Sequence, residues 1–227
     1  MTAETTAEPL VDALLERFGR TFAQELDIPL AAGTPEALFR WLVACLLYGA
    51  RVDAGIATRA ARALADAGWT RADALAASAV DDRIAVLDRA RYTRYDERKA
   101  RLLGEAAAHV RDHYDGDLRR LRRAAGDDAA AVQRLLREIP GFGPTGAKIF
   151  CREAQAVWDE LYPFCDEKAW RAAKDLGLAR SVKELAGLVP PPEFPRLVAA
   201  LARCALAHDE AGVRAAARTR AAARDGA

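Results

Sequence analysis

Apolar residues recur every three to four positions through this 227-residue chain, and nowhere do they alternate over the length of a strand. That period belongs to amphipathic helices and excludes a sheet as the organising element. From Pro9 to Leu26 the pattern runs through Leu10, Leu14, Leu15, Phe18 and Phe22. Thr34-Pro35-Glu36 is a helix start, with a capping hydroxyl and then proline at the first helical position. The helix behind it carries Leu38, Phe39, Trp41, Leu42, Cys45 and Leu46 and ends near Gly49. It is apolar nearly all round, which predicts a central buried helix. Further helices are expected over 53–67, 71–77, 81–89, 96–114, 118–125, 129–138, 144–158, 166–176, 182–188 and 193–208. The tail after Glu210 is expected to begin helical and fray.

The chain is 52% hydrophobic and 30% charged, enough to bury a core. Its formal net charge of +1 argues neither for nor against nucleic acid. No stretch is long and apolar enough to span a bilayer, and MTAETTAEPL lacks the parts of a signal peptide. Cys45, Cys151, Cys165 and Cys204 are widely spaced, so free thiols in a reducing cytoplasm are expected.

The exception to the helical pattern is REIPGFGPTGAKIF, residues 137–150, with three glycines and two prolines. Glycine at 141 and 143 permits backbone angles closed to other residues and removes side chains that would block an approach. Amide N–H groups at the start of the next helix then face outward where the dipole favours anions. Gly146 and Ala147 let two helices pack closely. Such a bend suits a DNA phosphate, which carries no base identity. An ordinary helix–turn–helix corner is the bland alternative.

The string Leu136-Arg137-Glu138-Ile139-Pro140-Gly141-Phe142-Gly143-Pro144-Thr145-Gly146-Ala147 resembles the helix-hairpin-helix of the endonuclease III-like superfamily of DNA glycosylases. In that family an aspartate opens the helix after the hairpin, and here Tyr162-Pro163-Phe164-Cys165-Asp166-Glu167-Lys168-Ala169-Trp170 puts Asp166 in its place. The resemblance extends to 39–53, with Leu46-Leu47-Tyr48-Gly49-Ala50, and to Tyr95-Asp96-Glu97-Arg98-Lys99-Ala100. It implies an all-α, two-lobed fold. It implies an N-terminal helix (1–34) packing on the C-terminal lobe, a central helical lobe (35–130), the hairpin (131–158), C-terminal helices with the catalytic aspartate (159–210) and a tail (211–227). A helix N-cap is the other reading of Asp166.

The family's chemistry needs such a carboxylate. Breaking a base–sugar bond builds positive charge on the sugar, and an anion beneath it stabilises that charge and orients or deprotonates a water. Gly141, Phe142, Gly143, Pro144, Thr145, Gly146 and Lys148 would hold the DNA backbone. Tyr48, Ala50, Arg51 and Trp170 are the candidates for lining a base pocket or wedging into the duplex.

The chain departs from the family in three places. Thr145 stands where bifunctional members carry a nucleophilic lysine, which implies a monofunctional enzyme with a water nucleophile. Lys148 and Lys168 are nearby amines outside that position. Only Cys204 lies where the family's four iron–sulfur cysteines crowd, so no cluster is expected; a monovalent cation at the hairpin is compatible with the resemblance. Arg203, Arg214, Arg218 and Arg220 are candidates for taking over the cluster loop's grip on DNA. The polar residue of the early turn is replaced by Ala50, with Arg51 beside it.

Arg89, Arg91, Arg94, Arg98, Lys99 and Arg101, with Tyr92 and Tyr95 among them, read as a phosphate-contacting stripe or a charged helix surface. Arg119, Arg120, Arg122 and Arg123 read as a solvated face. His109 and His113 share a helix face without a visible third ligand. The implied partner is double-stranded DNA, bound by a cytoplasmic, nucleoid-associated monomer. A non-catalytic DNA-binding module that kept the hairpin stays open as an alternative, as does a helical scaffold that binds no DNA.

Overall fold

The computed structural model describes residues 4–92 and 96–225. Among them there is no strand, and the architecture is all-α. The described residues form fourteen α-helices in order: α1 Glu4–Phe18, α2 Phe22–Glu25, α3 Pro35–Tyr48, α4 Ala54–Asp66, α5 Ala72–Ala77, α6 Val80–Arg89 and α7 Asp96–Tyr114. Then come α8 Leu118–Ala125, α9 Ala129–Glu138, α10 Pro144–Ala154, α11 Glu167–Leu176, α12 Val182–Ala186, α13 Phe194–Ala207 and α14 Glu210–Asp225. The chain divides into two compact units, one of residues 1–22 with 162–227 and one of residues 23–161.

In the middle unit α3 is the buried helix that its sequence predicts. Thr34 Oγ1 accepts the Ala37 amide at its N-terminus, and every side chain from Trp41 to Leu47 is buried. The Trp41 indole N–H donates to the Phe150 carbonyl at 3.1 Å, so even its polar edge is satisfied against α10. Helix α10 stops at Ala154, earlier than the apolar pattern suggested, and a short 3-10 turn over Asp159–Leu161 follows.

In the unit formed by the two ends, the expected helix over 9–26 is broken at Gly19. A side chain there would put its Cβ 2.1 Å from the Leu15 carbonyl oxygen, and Arg196 Nε donates to the Gly19 carbonyl at 2.9 Å. The tail after Glu210 is helical, with α14 continuous to Asp225. It buries Val213 and Ala217, and pairs Arg220 with Glu16 and Arg224 with Glu8 and Asp12 of α1. Each exposed pair is worth little alone, and the buried apolar positions carry the packing.

Candidate nucleic-acid interface and acid site

The hairpin is built by a division of labour between its glycines. Helix α9 ends at Glu138, the Phe142 amide donates to the Ile139 carbonyl at 3.0 Å, and Gly143 caps α10. Gly141 has φ +75°, and a Cβ on it would lie 3.1–3.3 Å from three atoms of Leu102 on α7. Both its backbone angle and its packing therefore demand glycine. Gly143 differs. Its φ is −79°, and a Cβ there would meet nothing within 4 Å. Nothing in the fold requires glycine at 143.

Phe142 is buried and anchors the bend from inside, while Gly141, Gly143, Pro144 and Thr145 are exposed. The Ala147 amide donating to the Gly143 carbonyl at 3.1 Å closes the first turn of α10. The amides ahead of it have no intrahelical acceptor and carry the positive end of the helix dipole. Lys148 is half-buried one turn further on.

A second segment meets the hairpin. The turn after α3, which holds Ala50 and Arg51, begins at Gly49, and a Cβ on Gly49 would lie 3.2 Å from both the Cα and the amide nitrogen of Gly146. Two backbones thus touch with no side chain between them. Within this turn the Val52 amide donates to the Ala50 carbonyl at 2.9 Å, and Asp53 Oδ1 accepts the Ile56 amide at 3.2 Å to start α4. Arg51 is exposed and Ala50 half-buried. Tyr48 is half-buried, its ring centroid 6.5 Å from that of Trp41 and its hydroxyl 2.8 Å from Thr58 Oγ1. Burial pushes the Tyr48 phenol well above its usual pKa.

Helix α7 braces both segments. Leu102 touches the hairpin, and three residues earlier Lys99 Nζ donates to the Leu46 carbonyl at 3.2 Å, at the C-terminal end of α3. Burial, with Arg98 beside it, lowers the Lys99 ammonium to about 8. Lys99 is thus half-buried and caps a helix rather than forming part of an open stripe. Tyr92 is also core, its hydroxyl reaching the Leu47 carbonyl at 3.3 Å. Arg94 and Tyr95 lie outside the described residues. Nothing in the sequence marked Leu102, Lys99 or Thr58 as partners of these segments, because each acts through a contact distant in the chain.

The acid belongs to the other unit. Asp166 is the N-cap of α11, and its Oδ1 accepts the amides of Lys168 at 3.0 Å and Ala169 at 3.3 Å. It is 6% exposed. Both amides that donate to it stand at the dipole-positive start of α11. Trp170 follows one turn on, half-buried, with Lys174 Nζ 6.0 Å from its ring centroid. Lys168 is exposed.

No family model matches this sequence, and no curated protein matches it significantly. A solved structure does. The chain is similar to a trapped endonuclease III–DNA covalent intermediate, an estranged-adenine complex, with TM-score 0.52 and 18% identity over 90% of this chain and 86% of that one.

This chain has the endonuclease III fold.

At this identity the likeness carries the architecture and not the chemistry. Cys45 and Cys151 are buried on α3 and α10, Cys204 on α13, and Cys165 stands before α11. Burial pushes the Cys45, Cys151 and Cys204 thiols upward, the last two to about 12 and about 11. Among the described residues no three His, Cys, Asp or Glu side chains gather as metal ligands. His109 and His113 stack instead, ring centroids 4.1 Å apart.

The arginines proposed to replace the cluster loop are mostly committed elsewhere in their own unit. Arg203 lies 4.1 Å over the Phe22 ring and donates to the Thr21 carbonyl, Arg214 donates to the Asp175 carbonyl, and Arg220 pairs with Glu16. Arg218 is exposed. In the middle unit Arg119, Arg120 and Arg122 pair with Asp117, Asp115 and Glu160.

Proposed function

We propose that this protein is a DNA base-excision N-glycosylase that hydrolyses the bond between a damaged or mismatched base and deoxyribose without cleaving the strand. The observation that carries the reading is Gly143. The fold needs glycine at 141 and leaves 143 bare with open space around it, at the dipole-positive start of α10. A phosphate oxygen approaching backbone amides needs that vacancy. The endonuclease III fold supports the same reading.

In this mechanism the hairpin amides and Lys148 grip the DNA backbone. The extruded base stacks near Tyr48 or Trp170, and Arg51 enters the space it leaves. The Asp166 carboxylate stabilises positive charge developing on the sugar and orients the attacking water. Thr145, in place of an amine, supplies no Schiff base.

The test is base release from a panel of lesion-bearing duplexes, with wild type beside Asp166→Asn. Asparagine caps a helix as well as aspartate does, so α11 should remain intact. Release by wild type, at least about 100-fold slower in the variant, is expected. Breaks should appear only after added alkali, and borohydride should trap no adduct. A trapped adduct overturns the water mechanism.

The engagement of Asp166 as a buried N-cap favours a second reading, a DNA-binding protein without catalysis. It predicts salt-sensitive duplex binding and no base release by either protein.

A further inference from the structure

Thr58 sits in α4, outside every segment considered for chemistry, yet it is tied to Tyr48. Its Oγ1 donates to the Ala54 carbonyl at 2.9 Å, the bond back along the helix that threonine commonly makes. A hydroxyl carries one proton, so the 2.8 Å contact between Thr58 Oγ1 and Tyr48 Oη must be filled by the phenol proton. Tyr48 therefore donates to Thr58, and Thr58 to Ala54. The upward shift of the phenol keeps that proton in place through neutral and moderately alkaline pH. Thr58 is itself buried, 7% exposed.

The chain of bonds spans a turn. Tyr48 is the last residue of α3, and Ala54 and Thr58 lie in the opening of α4. Between them run Gly49, Ala50, Arg51, Val52 and Asp53, which hold one backbone bond of their own, from Val52 to Ala50. The start of that turn touches Gly146 of the hairpin. A turn with so few internal bonds takes its shape from its ends. One end is fixed by the Gly49–Gly146 contact and the other by the Asp53 cap, and the Tyr48–Thr58 bond ties the two helices across it.

We infer that Thr58 is a positioning residue for base extrusion: it clamps Tyr48, and through Tyr48 the turn that presents Arg51, in the arrangement the DNA meets. This rests on the glycosylase reading above. Hairpin contacts hold DNA whether or not a base is extruded, so they set binding. The clamp acts at extrusion, so its loss falls on kcat. A misplacement of about an ångström in such a group can cost up to about 100-fold in rate.

The experiment compares wild type, Thr58→Val and Thr58→Ser on the best lesion duplex, and follows amide hydrogen exchange over residues 49–53 in the DNA-free proteins. Valine keeps the shape and removes the hydroxyl; serine restores it. Thr58→Val is expected to lower kcat about tenfold with KM little changed, and to speed exchange in the turn. Thr58→Ser should return both toward wild type. Equal kcat for valine and wild type, or serine as poor as valine, overturns the inference while leaving the glycosylase reading standing. If wild type releases no base from any duplex, that reading fails, and exchange alone judges the clamp: faster turn exchange in valine but not in serine upholds it, and equal rates overturn it.

Discussion

The missing side chains of Gly49 and Gly146 let the end of α3 and the start of α10 meet backbone to backbone, with 3.2 Å between the position of a Gly49 Cβ and the Gly146 Cα. The same Cβ would lie 3.1 Å from the Cys45 carbonyl oxygen. All three obstacles are main-chain atoms of buried helices, which cannot swing aside as a side-chain tip can. Gly49 has φ −70°, so strain in its own backbone is not at issue. Gly49→Ala should therefore destabilise by about 1–3 kcal/mol through overpacking alone. The converse substitution is milder, since a Cβ on Gly146 would sit 3.4 Å from the Cys45 carbonyl and 3.7 Å from the Phe142 ring. Helix propensity gains about 1 kcal/mol from Gly→Ala inside a helix, which offsets the squeeze. Urea unfolding of the two variants should rank Gly49→Ala well below Gly146→Ala; the reverse order would show that the helices can slide apart.

Gly141 and Gly143 predict opposite outcomes for one chemical change. Gly141→Ala meets Leu102 and also places an L-residue at φ +75°. It should cost at least about 2 kcal/mol, the left-handed penalty plus the contact. Gly143→Ser meets nothing, and serine is a good N-cap, so stability should be unchanged or slightly raised. Duplex affinity should nonetheless fall about tenfold, because the new side chain occupies the space a phosphate would use. Fluorescence anisotropy with labelled duplex, beside thermal unfolding, checks both halves. A Gly143→Ser protein that binds DNA like wild type removes the hairpin from the interface.

How much of this was legible beforehand follows from the range of each interaction. The helices could be placed because caps and apolar periodicity are local: Thr34 before Pro35, and Asp166 as an N-cap, act within three residues. The hairpin was legible because its glycines, Gly141, Gly143 and Gly146, lie close together in the sequence. The break at Gly19 was not, since the Arg196 guanidinium that meets its carbonyl lies 177 residues away. Lys99 looked like a member of a basic stripe because sequence counts charges without their depth, and only the fold turns it onto the Leu46 carbonyl. Gly49 carried no signal separable from an ordinary helix end. Its reason for being glycine stands on another helix.

Asp166 has two roles that two substitutions can separate. As a cap it accepts two amides, so Asp166→Ala should lose about 0.5–2 kcal/mol of stability and Asp166→Asn far less. On the glycosylase reading both should abolish base release. Denaturant midpoints and single-turnover rates on the same preparations would show stability graded and activity uniformly absent. Activity that tracks stability instead would leave the carboxylate a cap alone.

Lys99 gives the fold a pH dependence of definite sign. Its folded-state value, about 8, lies below the ordinary lysine value of 10.5. Between those values the unfolded chain binds the proton that the folded chain has released, so stability rises with pH across that window. Below about 8 both states are charged and the cost of the half-buried ammonium is fully present, of order 1–3 kcal/mol. Lys99→Met should flatten this component: the difference in unfolding free energy between wild type and variant should change by that amount from pH 7.5 to pH 10. The 13Cε shift of Lys99 should titrate near 8 in the folded protein. A midpoint at the ordinary lysine value would mean the amine is hydrated in solution.

Arg83 carries the last prediction, because it holds α7 at the height where Leu102 and Lys99 act. It is 4% exposed, and its guanidinium donates from Nε to the Ala100 carbonyl at 2.8 Å and from Nη1 to the Leu75 carbonyl at 3.2 Å and the Ser78 carbonyl at 2.6 Å. Gly104 gives it room, since a Cβ there would stand 2.5 Å from Nη2. One planar fork thus joins α5, α6 and α7. Lysine has a single terminal nitrogen and cannot reach acceptors on both sides, so Arg83→Lys is not conservative here. Arg83→Met leaves three carbonyls without this donor and should cost about 2–4 kcal/mol. Gly104→Ala should fall between them and wild type by displacing the fork. If α7 is the brace of the hairpin, these variants should also loosen it, with faster amide exchange over residues 139–146 while α1 and α14 stay protected. Unchanged exchange in the hairpin would mean that Leu102 keeps its place without the arginine.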